Sequence, residues 1–293
     1  MIICPDCHKP ISDEKLIHCG SCGWEIQYIG KVPCYLSTED KRSSIISDYI
    51  GNYDEIASDD ISQSVLDERY IFHQIKKMVG YISNIDGAHV CDIGSGKGGL
   101  ASALVKAGAD SVVAVDITSE YFKQFELENQ IKPLLANGEN LPFSEEFDII
   151  TSTDVLEHVF NVGSFLISIY EALKPNGRAY IRVPYKENLL NYAPRRGCQY
   201  KFVHLRNFNK NLLKDMMKEA GFEILGTHLD GFSIQTPRPS LYRFKWQKAL
   251  YNRWSRYITD RLYHISDVAA WNNSLASILM RPQEIVIEVR KPI

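Results

Sequence analysis

The chain has 293 residues, 45% hydrophobic and 24% charged, with 18 Gly and 12 Pro, a balance that excludes intrinsic disorder, collagen and low-complexity scaffolds. At this length a core forms without disulfides, in one large domain or two unequal ones. The formal net charge of −3 argues against a uniformly basic nucleic-acid binder, yet residues 178–264 carry +11 and the remainder −14, so polyanionic partners stay open on one side of the molecule.

Residues 1–36 hold Cys4-x2-Cys7 and Cys19-x2-Cys22. No basic segment followed by an apolar stretch opens the chain, and no apolar run is long enough to cross a membrane. The expected setting is a reducing cytoplasm, where such pairs are metal ligands more often than disulfides. Two paired knuckles suit one tetrahedral zinc ion, with Trp24 to Pro33 as the strand and turn that close a small zinc ribbon. A thioredoxin-like redox pair is the competing reading, and His8 and His18 adjoin the ligands as possible replacements. Cys34 reads as a small buried hydrophobe. Residues 37–63, with Ser43, Ser44, Asp48, Asp54, Asp59 and Asp60 around Tyr49 and Tyr53, read as a polar connector. A helix is expected over about 64–82, with Val65, Tyr70, Phe72, Ile75, Met78 and Val79 on one stripe.

From residue 64 to 237 short apolar runs alternate with helical patterns, which signals a parallel sheet covered on both faces. Strands are expected at 89–93, 111–116, 132–136, 147–151, 179–183 and 223–227, with a last one at 284–289. Together they predict a doubly wound α/β domain with a Rossmann-like seven-stranded sheet. At its centre stands Asp92-Ile93-Gly94-Ser95-Gly96-Lys97-Gly98-Gly99. Glycines there let a backbone approach a ligand at the N-terminus of the following helix. The spacing of Gly94, Gly96 and Gly99 also fits a dinucleotide loop, and Asp116 about 20 residues on suits the ribose of either NAD or S-adenosylmethionine. Asp92 tilts the choice, because a carboxylate at the strand end suits an ammonium and a sulfonium more than a pyrophosphate.

At this point the chain resembles the class I S-adenosylmethionine-dependent methyltransferases. Asn137-Gly138-Glu139-Asn140-Leu141-Pro142-Phe143 is similar to the family's third-strand exit, Asp148 opens the fourth strand, Leu173-Lys174-Pro175-Asn176-Gly177 resembles the turn before the fifth, and Ala220-Gly221-Phe222 matches the turn before the sixth. The resemblance covers about 90–227. It implies that Asp92, Gly94, Ser95 and Gly96 surround the methionine moiety, Asp116 accepts from the ribose hydroxyls and Ile117 packs on adenine. Gly138 and Glu139 would complete the adenine rim, and Asp154 would close the methionine side. Asn137 replaces the usual Asp facing the adenine amine, but an amide oxygen still accepts. The head resembles zinc ribbons that precede some bacterial methyltransferases, which implies Zn2+ on Cys4, Cys7, Cys19 and Cys22.

Asp154-Val155-Leu156-Glu157-His158 resembles the stretch of the ubiquinone-biosynthesis O-methyltransferases in which Glu-x-x-Glu-His holds a divalent ion. That implies Mg2+ at Asp154, Glu157 and His158, or a base among them. The bland alternative is that Glu157 and His158 cap a helix starting near Val159. His204 resembles a His that faces the acceptor pocket in many of these enzymes, and a hydrogen-bonded surface His before a helix near Asn209 is the alternative. The loop from Pro184 to Tyr200, with Tyr192, Arg195 and Arg196, would form part of an acceptor lid.

Residues 238–282 form an expected helical insertion before the last strand, 283–293. Its first part sets seven Lys and Arg against Asp260 and interleaves Trp246, Trp254 and Tyr257. A helical cap, a membrane-surface helix, a nucleic-acid patch and a homodimer interface all share this look. The leading expectation is O-methylation of a small-molecule or carrier- or lipid-linked acceptor, in the cytoplasm or peripherally at the inner membrane surface. The alternatives are a zinc-ribbon ribosomal or transfer RNA methyltransferase and a non-catalytic S-adenosylmethionine-binding partner protein.

Overall fold

A computed structural model describes residues 1–11, 17–63, 68–124, 129–193, 197–231, 233–234, 246–247, 249–250, 253–254, 257 and 280–293. Strands β1 (Gln27–Ile29) and β2 (Val32–Cys34) and helices α1 (Thr38–Arg42), α2 (Ser44–Gln63) and α3 (Glu68–Tyr81) come first. There follow β3 (His89–Ile93), α4 (Gly99–Lys106), β4 (Ser111–Asp116), β5 (Ile131–Leu135), β6 (Phe147–Thr153), α5 (Val162–Ala172), β7 (Leu173–Pro184), α6 (Lys210–Glu219), β8 (Glu223–Asp230), β9 (Ser233–Ile234), β10 (Met280–Arg281) and β11 (Glu284–Arg290).

All seven expected strands form, but the sheet they build has nine, ordered β1-β2-β5-β4-β3-β6-β7-β11-β8. Its middle is parallel, and β11 runs antiparallel between β7 and β8. The two extra strands are the hairpin of the cysteine-rich head. Cys34 pairs in parallel with Leu135, and Tyr35 N–H donates to Leu135 O at 2.7 Å. This pairing covers the C-terminal end of the β5 edge, where the Leu135 carbonyl would otherwise stay unpaired on that side. Cys34 is buried as expected. Val90-Cys91 and Val112 to Val115 are buried on both faces, which is why these strands read as continuous apolar runs rather than alternating ones. The chain passes from β3 to β4 and β5 on one side, then returns to lay β6 on the other side of β3. A crevice opens at such a reversal, beyond the C-terminal ends of the strands.

Residues 37–63 are helical, which corrects the expectation of a polar connector. Ser37 caps α1 through its side chain, which accepts from Asp40 N, while Asp40 accepts from Ser37 N; this reciprocal pair satisfies two otherwise orphaned amides. In α2, Ile46, Tyr49, Tyr53 and Ile56 recur every three or four residues and line a cavity over the sheet. The polar residues that suggested a linker are ties to the core. Thr118 Oγ1 donates to Asp54, Lys97 pairs with Asp60 at 3.1 Å, and the Asn52 amide exchanges hydrogen bonds with the backbone of Lys201. In α3, Ile75, Met78 and Val79 pack on the core, whereas Phe72, expected on the same stripe, is exposed.

The insertion expected at 238–282 falls almost wholly outside the described residues, as do Val65, Arg195 and Arg196. Trp246, Leu250, Trp254 and Tyr257 are described and exposed. No helix among the described residues is long and apolar enough to cross a membrane.

Candidate active site

The turn after β3 is built from glycines because its backbone is left-handed, with φ of +71° at Gly94, +51° at Gly96 and +76° at Gly98. At Gly94 a second reason applies: an added Cβ would stand 2.2 Å from Val155 Cγ2. The turn of β3 and the loop after β6 therefore touch at the topological reversal. Gly98 starts α4 with no side-chain cap.

Beside this turn lies a cavity of about 530 Å3, roofed by Tyr49 and Tyr53 of α2. Of the residues expected at the cofactor, Gly94, Gly96, Asp116, Ile117, Asn137, Gly138, Glu139 and Asp154 line it, and so do His158 and His204. Asp92, Ser95 and Glu157 are buried and do not reach its wall.

Asp116 ends β4 with its carboxylate accepting from Gly96 N at 2.9 Å and Thr118 N at 3.1 Å. Two oxygens offer about four acceptor positions, so capacity for a diol remains. Burial nevertheless pushes Asp116 up to about 6. Asp92 accepts from Thr151 Oγ1 at 2.7 Å, and its second oxygen has no partner. Burial lifts Asp92 to about 7, with the charge of Asp116 adding to it.

The loop after β5 is shaped by its own polar groups. Asn137 Oδ1 accepts from Glu139 N at 3.0 Å, and its amide donates to Asp40 Oδ1 of α1 at 2.9 Å. Glu139 accepts from Phe160 N and Asn161 N at 2.7 and 3.0 Å, tying this loop to the turn before α5; burial raises its carboxyl above the ordinary range. Gly138 lies against the ring of Phe165, where a Cβ would come within 2.7 Å.

Where His158 and His204 line the cavity, segments 157–160 and 204–206 are stapled together. Leu205 N donates to Glu157 O at 2.8 Å, His204 N to His158 Nδ1 at 3.4 Å, and the Arg206 guanidinium to Val159 O and Phe160 O. Asn161 caps α5, so Glu157 and His158 are not its cap. The His158 and His204 rings meet edge to face, centroids 4.7 Å apart. His204 Nδ1 lies 2.5 Å from Glu187 Oε2, and Tyr192 stacks on His204 while donating to the same carboxylate. Glu157 is fully buried, and neither of its oxygens has a hydrogen-bond partner. Burial raises its carboxyl far above the usual range, with Asp154 adding to the effect. Burial, reinforced by His204, pushes His158 down to about 4.

Glu157, His158 and His204 bring ligand atoms within 4.8 Å of one another. Asp154, expected as the third ligand, is instead ion-paired with Arg182 of β7. Glu187 carries no sequence motif, and the reading of the sequence missed it. The roof helix was missed too, although the three- and four-residue spacing of Ile46, Tyr49, Tyr53 and Ile56 is a usable signal.

The four head cysteines also converge. Cys4 Sγ lies 3.5 Å from Cys22 Sγ and Cys7 Sγ 3.6 Å from Cys19 Sγ, all four within 4.8 Å. Sulfurs about 2.3 Å from one tetrahedral ion sit at such spacings. The amide of Ser21 draws Cys19 down to about 6, whereas burial drives Cys4 up to about 12. A divalent cation is what allows all four to ionise together. Neither His8 nor His18 belongs to the cluster.

The profile of a family described as "Methyltransferase domain" matches residues 66–227, more than half of the chain. A ubiquinone biosynthesis O-methyltransferase of Rickettsia canadensis is 27% identical over 168 residues, 51% of this chain and 69% of that protein. The mitochondrial ubiquinone biosynthesis O-methyltransferase of Schizosaccharomyces pombe is 35% identical over 102 residues, 31% of this chain and 36% of its own length. In three dimensions, the chain matches one from a complex between the Haloferax volcanii Trm112 methyltransferase activator and a methyltransferase, with TM-score 0.59 and 16% identity, over 82% of this chain and 98% of the other. A chain from Bacillus halodurans described as a methyltransferase gives TM-score 0.52 at 20% identity, over 75% and 99%. These two likenesses concern the fold.

Proposed function

The chain belongs to the methyltransferase domain family and is an S-adenosylmethionine-dependent methyltransferase, and we propose that it methylates a hydroxyl oxygen on a small or carrier-linked acceptor. The observation that carries this reading is one cavity running from the Gly94–Gly96 turn to His158 and His204. The glycine turn fits a cofactor that needs close backbone approach, and Asp116 has acceptor capacity for ribose hydroxyls. When bound, the cofactor supplies a methyl group already activated on a sulfonium.

The protein then has to position the acceptor oxygen in line with that carbon and receive its proton. His204 suits the second task. The Glu187 carboxylate accepts from Nδ1–H, which leaves Nε2 as the basic nitrogen and stabilises the imidazolium formed on proton transfer. Stacking against Tyr192 fixes the ring plane. Tyr49 and Tyr53 cover the cavity and exclude water from the reacting groups.

A second reading is favoured by the two buried oxygens of Glu157, which accept no hydrogen bond while Oε1 lies 3.7 Å from His158 Nε2. A divalent cation such as Mg2+, held by Glu157, His158 and His204, would polarise the acceptor hydroxyl and lower its pKa. For the head, we take Zn2+ on Cys4, Cys7, Cys19 and Cys22 as the ion that the four-sulfur geometry supports.

The test is to supply methyl-labelled cofactor and the pure protein to cell extract split into RNA, lipid and small-metabolite fractions. Label is expected in small metabolites, or in lipids if the acceptor is carrier-linked. Label confined to RNA would overturn the reading.

A pH dependence follows from Asp116. Its carboxyl, pushed up to about 6 by burial, must be ionised to accept from both ribose hydroxyls, so binding lowers that value. Affinity for S-adenosylhomocysteine should therefore be full above about pH 7 and fall as the pH drops through 6, approaching tenfold per unit. Calorimetric titration from pH 5 to 8 checks this; a flat profile would remove Asp116 from the ribose role.

A further inference from the structure

Two residues lie between Cys4 and Cys7, and both bond outside the head. Pro5 O accepts from the Asn140 amide at 2.8 Å. The Asp6 carboxylate accepts from Thr38 N at 2.6 Å and Thr38 Oγ1 at 2.5 Å, at the first turn of α1. From α1, Asp40 reaches across to the Asn137 amide with one oxygen while Ser37 N and Oγ donate to the other. Ahead of the first knuckle, Ile3 N donates to Pro142 O and Ser144 N to Met1 O. The loop from Asn137 to Ser144 is thus gripped along its length by the head and α1. Its first residues, Asn137, Gly138 and Glu139, are a wall of the cofactor cavity.

The chemistry at position 137 fits this grip. Asp40 is 8% exposed, and an Asp at 137 would set two carboxylates about 3 Å apart, where both cannot stay ionised. An amide instead donates to Asp40 and accepts from Glu139 N.

We propose that the four-thiolate centre is a clasp on the cofactor cavity: an ion on Cys4, Cys7, Cys19 and Cys22 fixes Pro5 and Asp6, and through them and Asp40 holds the loop from Asn137 in its receiving shape. Ion and cofactor then raise each other's affinity, because coupling between two sites is reciprocal. The inference rests on reading the cavity as the cofactor site. Asp40 acts in it as a positioning residue, since it does not line the cavity.

The experiment uses the full chain loaded with zinc, its metal content measured by a chromogenic chelator, and S-adenosylhomocysteine as the titrant. Removing zinc should weaken binding about tenfold, and saturating with S-adenosylhomocysteine should slow zinc release. Asp40→Ala should keep one zinc per chain yet weaken binding about fivefold or more. Asn137→Asp should weaken binding as well, and adding Asp40→Asn should restore it, which a merely structural role for either residue would not produce. If the zinc-free chain unfolds, the Asp40 and Asn137 variants carry the test, because they leave the thiolates intact. Wild-type affinity in zinc-loaded Asp40→Ala, or no rescue in the double variant, would overturn the clasp. A zinc-loaded wild type that binds no cofactor would overturn the proposed function as well.

Discussion

His204→Ala is expected to lower kcat by about 10²- to 10⁴-fold, the usual contribution of a positioned base, with S-adenosylhomocysteine affinity unchanged. His204 lines the cavity but is not among the residues expected to hold the cofactor, so its loss removes a proton acceptor and leaves those contacts in place. Glu187→Gln should give a smaller loss, because the amide can hold Nδ1 in place but cannot stabilise an imidazolium; the pH–rate profile should shift with it. Glu157→Gln separates the two readings of the cluster. If His204 acts as base, that variant stays active and indifferent to added Mg2+ or chelator. If Glu157, His158 and His204 hold a cation, activity falls and recovers only at raised Mg2+. Single-turnover rates with saturating cofactor distinguish these outcomes. Equal rates for wild type and His204→Ala would remove the histidine from the chemistry.

Gly94→Ala should reduce cofactor affinity by roughly 30-fold or more and destabilise the chain by about 2–6 kcal/mol, strain and overlap together. Two costs combine. An L-residue at φ +71° is strained, typically by about 1–3 kcal/mol. Its methyl would also overlap Val155 Cγ2, at 2.2 Å, so either the turn or the loop after β6 must move. Each change displaces a cavity wall. Gly96→Ala is the comparison: its φ of +51° gives strain, but nothing lies within 4 Å of the added carbon. It should cost about 1–2 kcal/mol and leave the loop after β6 in place. Shortening the opposing side chain in Gly94→Ala/Val155→Ala should recover part of the stability, and the non-additivity measures the clash. Denaturant melts and cofactor titrations on the wild type, Gly94→Ala, Val155→Ala, the double variant and Gly96→Ala check the set. Additive effects would show that strain alone acts at Gly94.

The parts of this site legible in sequence are those that sit close together along the chain. Gly94, Gly96 and Asp116 lie on consecutive strand ends, and the glycine pattern followed by an acid about 20 residues on marks them. The paired cysteine spacing marks the four-sulfur cluster for the same reason, since each knuckle is a local structure. The connector was misread because its acids looked like solvated polar residues. In the folded chain Asp54 and Asp60 bond to Thr118 and Lys97, partners that no local window contains. Asp154 looked like a third ligand by motif, but the side chain across the sheet from it is Arg182, and opposite charge decides its contact.

The parallel middle of the sheet follows from buried apolar runs separated by long connections, because parallel neighbours cannot be joined by a tight hairpin. The sequence by itself therefore determined the α/β class, the glycine turn, the acid after it and the cysteine cluster. Tertiary structure alone decided that the head's hairpin extends the sheet, that α2 roofs the cavity, that Glu187 backs His204, and that Asp40 meets Asn137 across 97 residues of chain. The physical reason is the same in each case. Periodicity and spacing report which face of an element is apolar and which turns are tight, whereas pairing between distant polar groups depends on how packed elements bring them within hydrogen-bond reach.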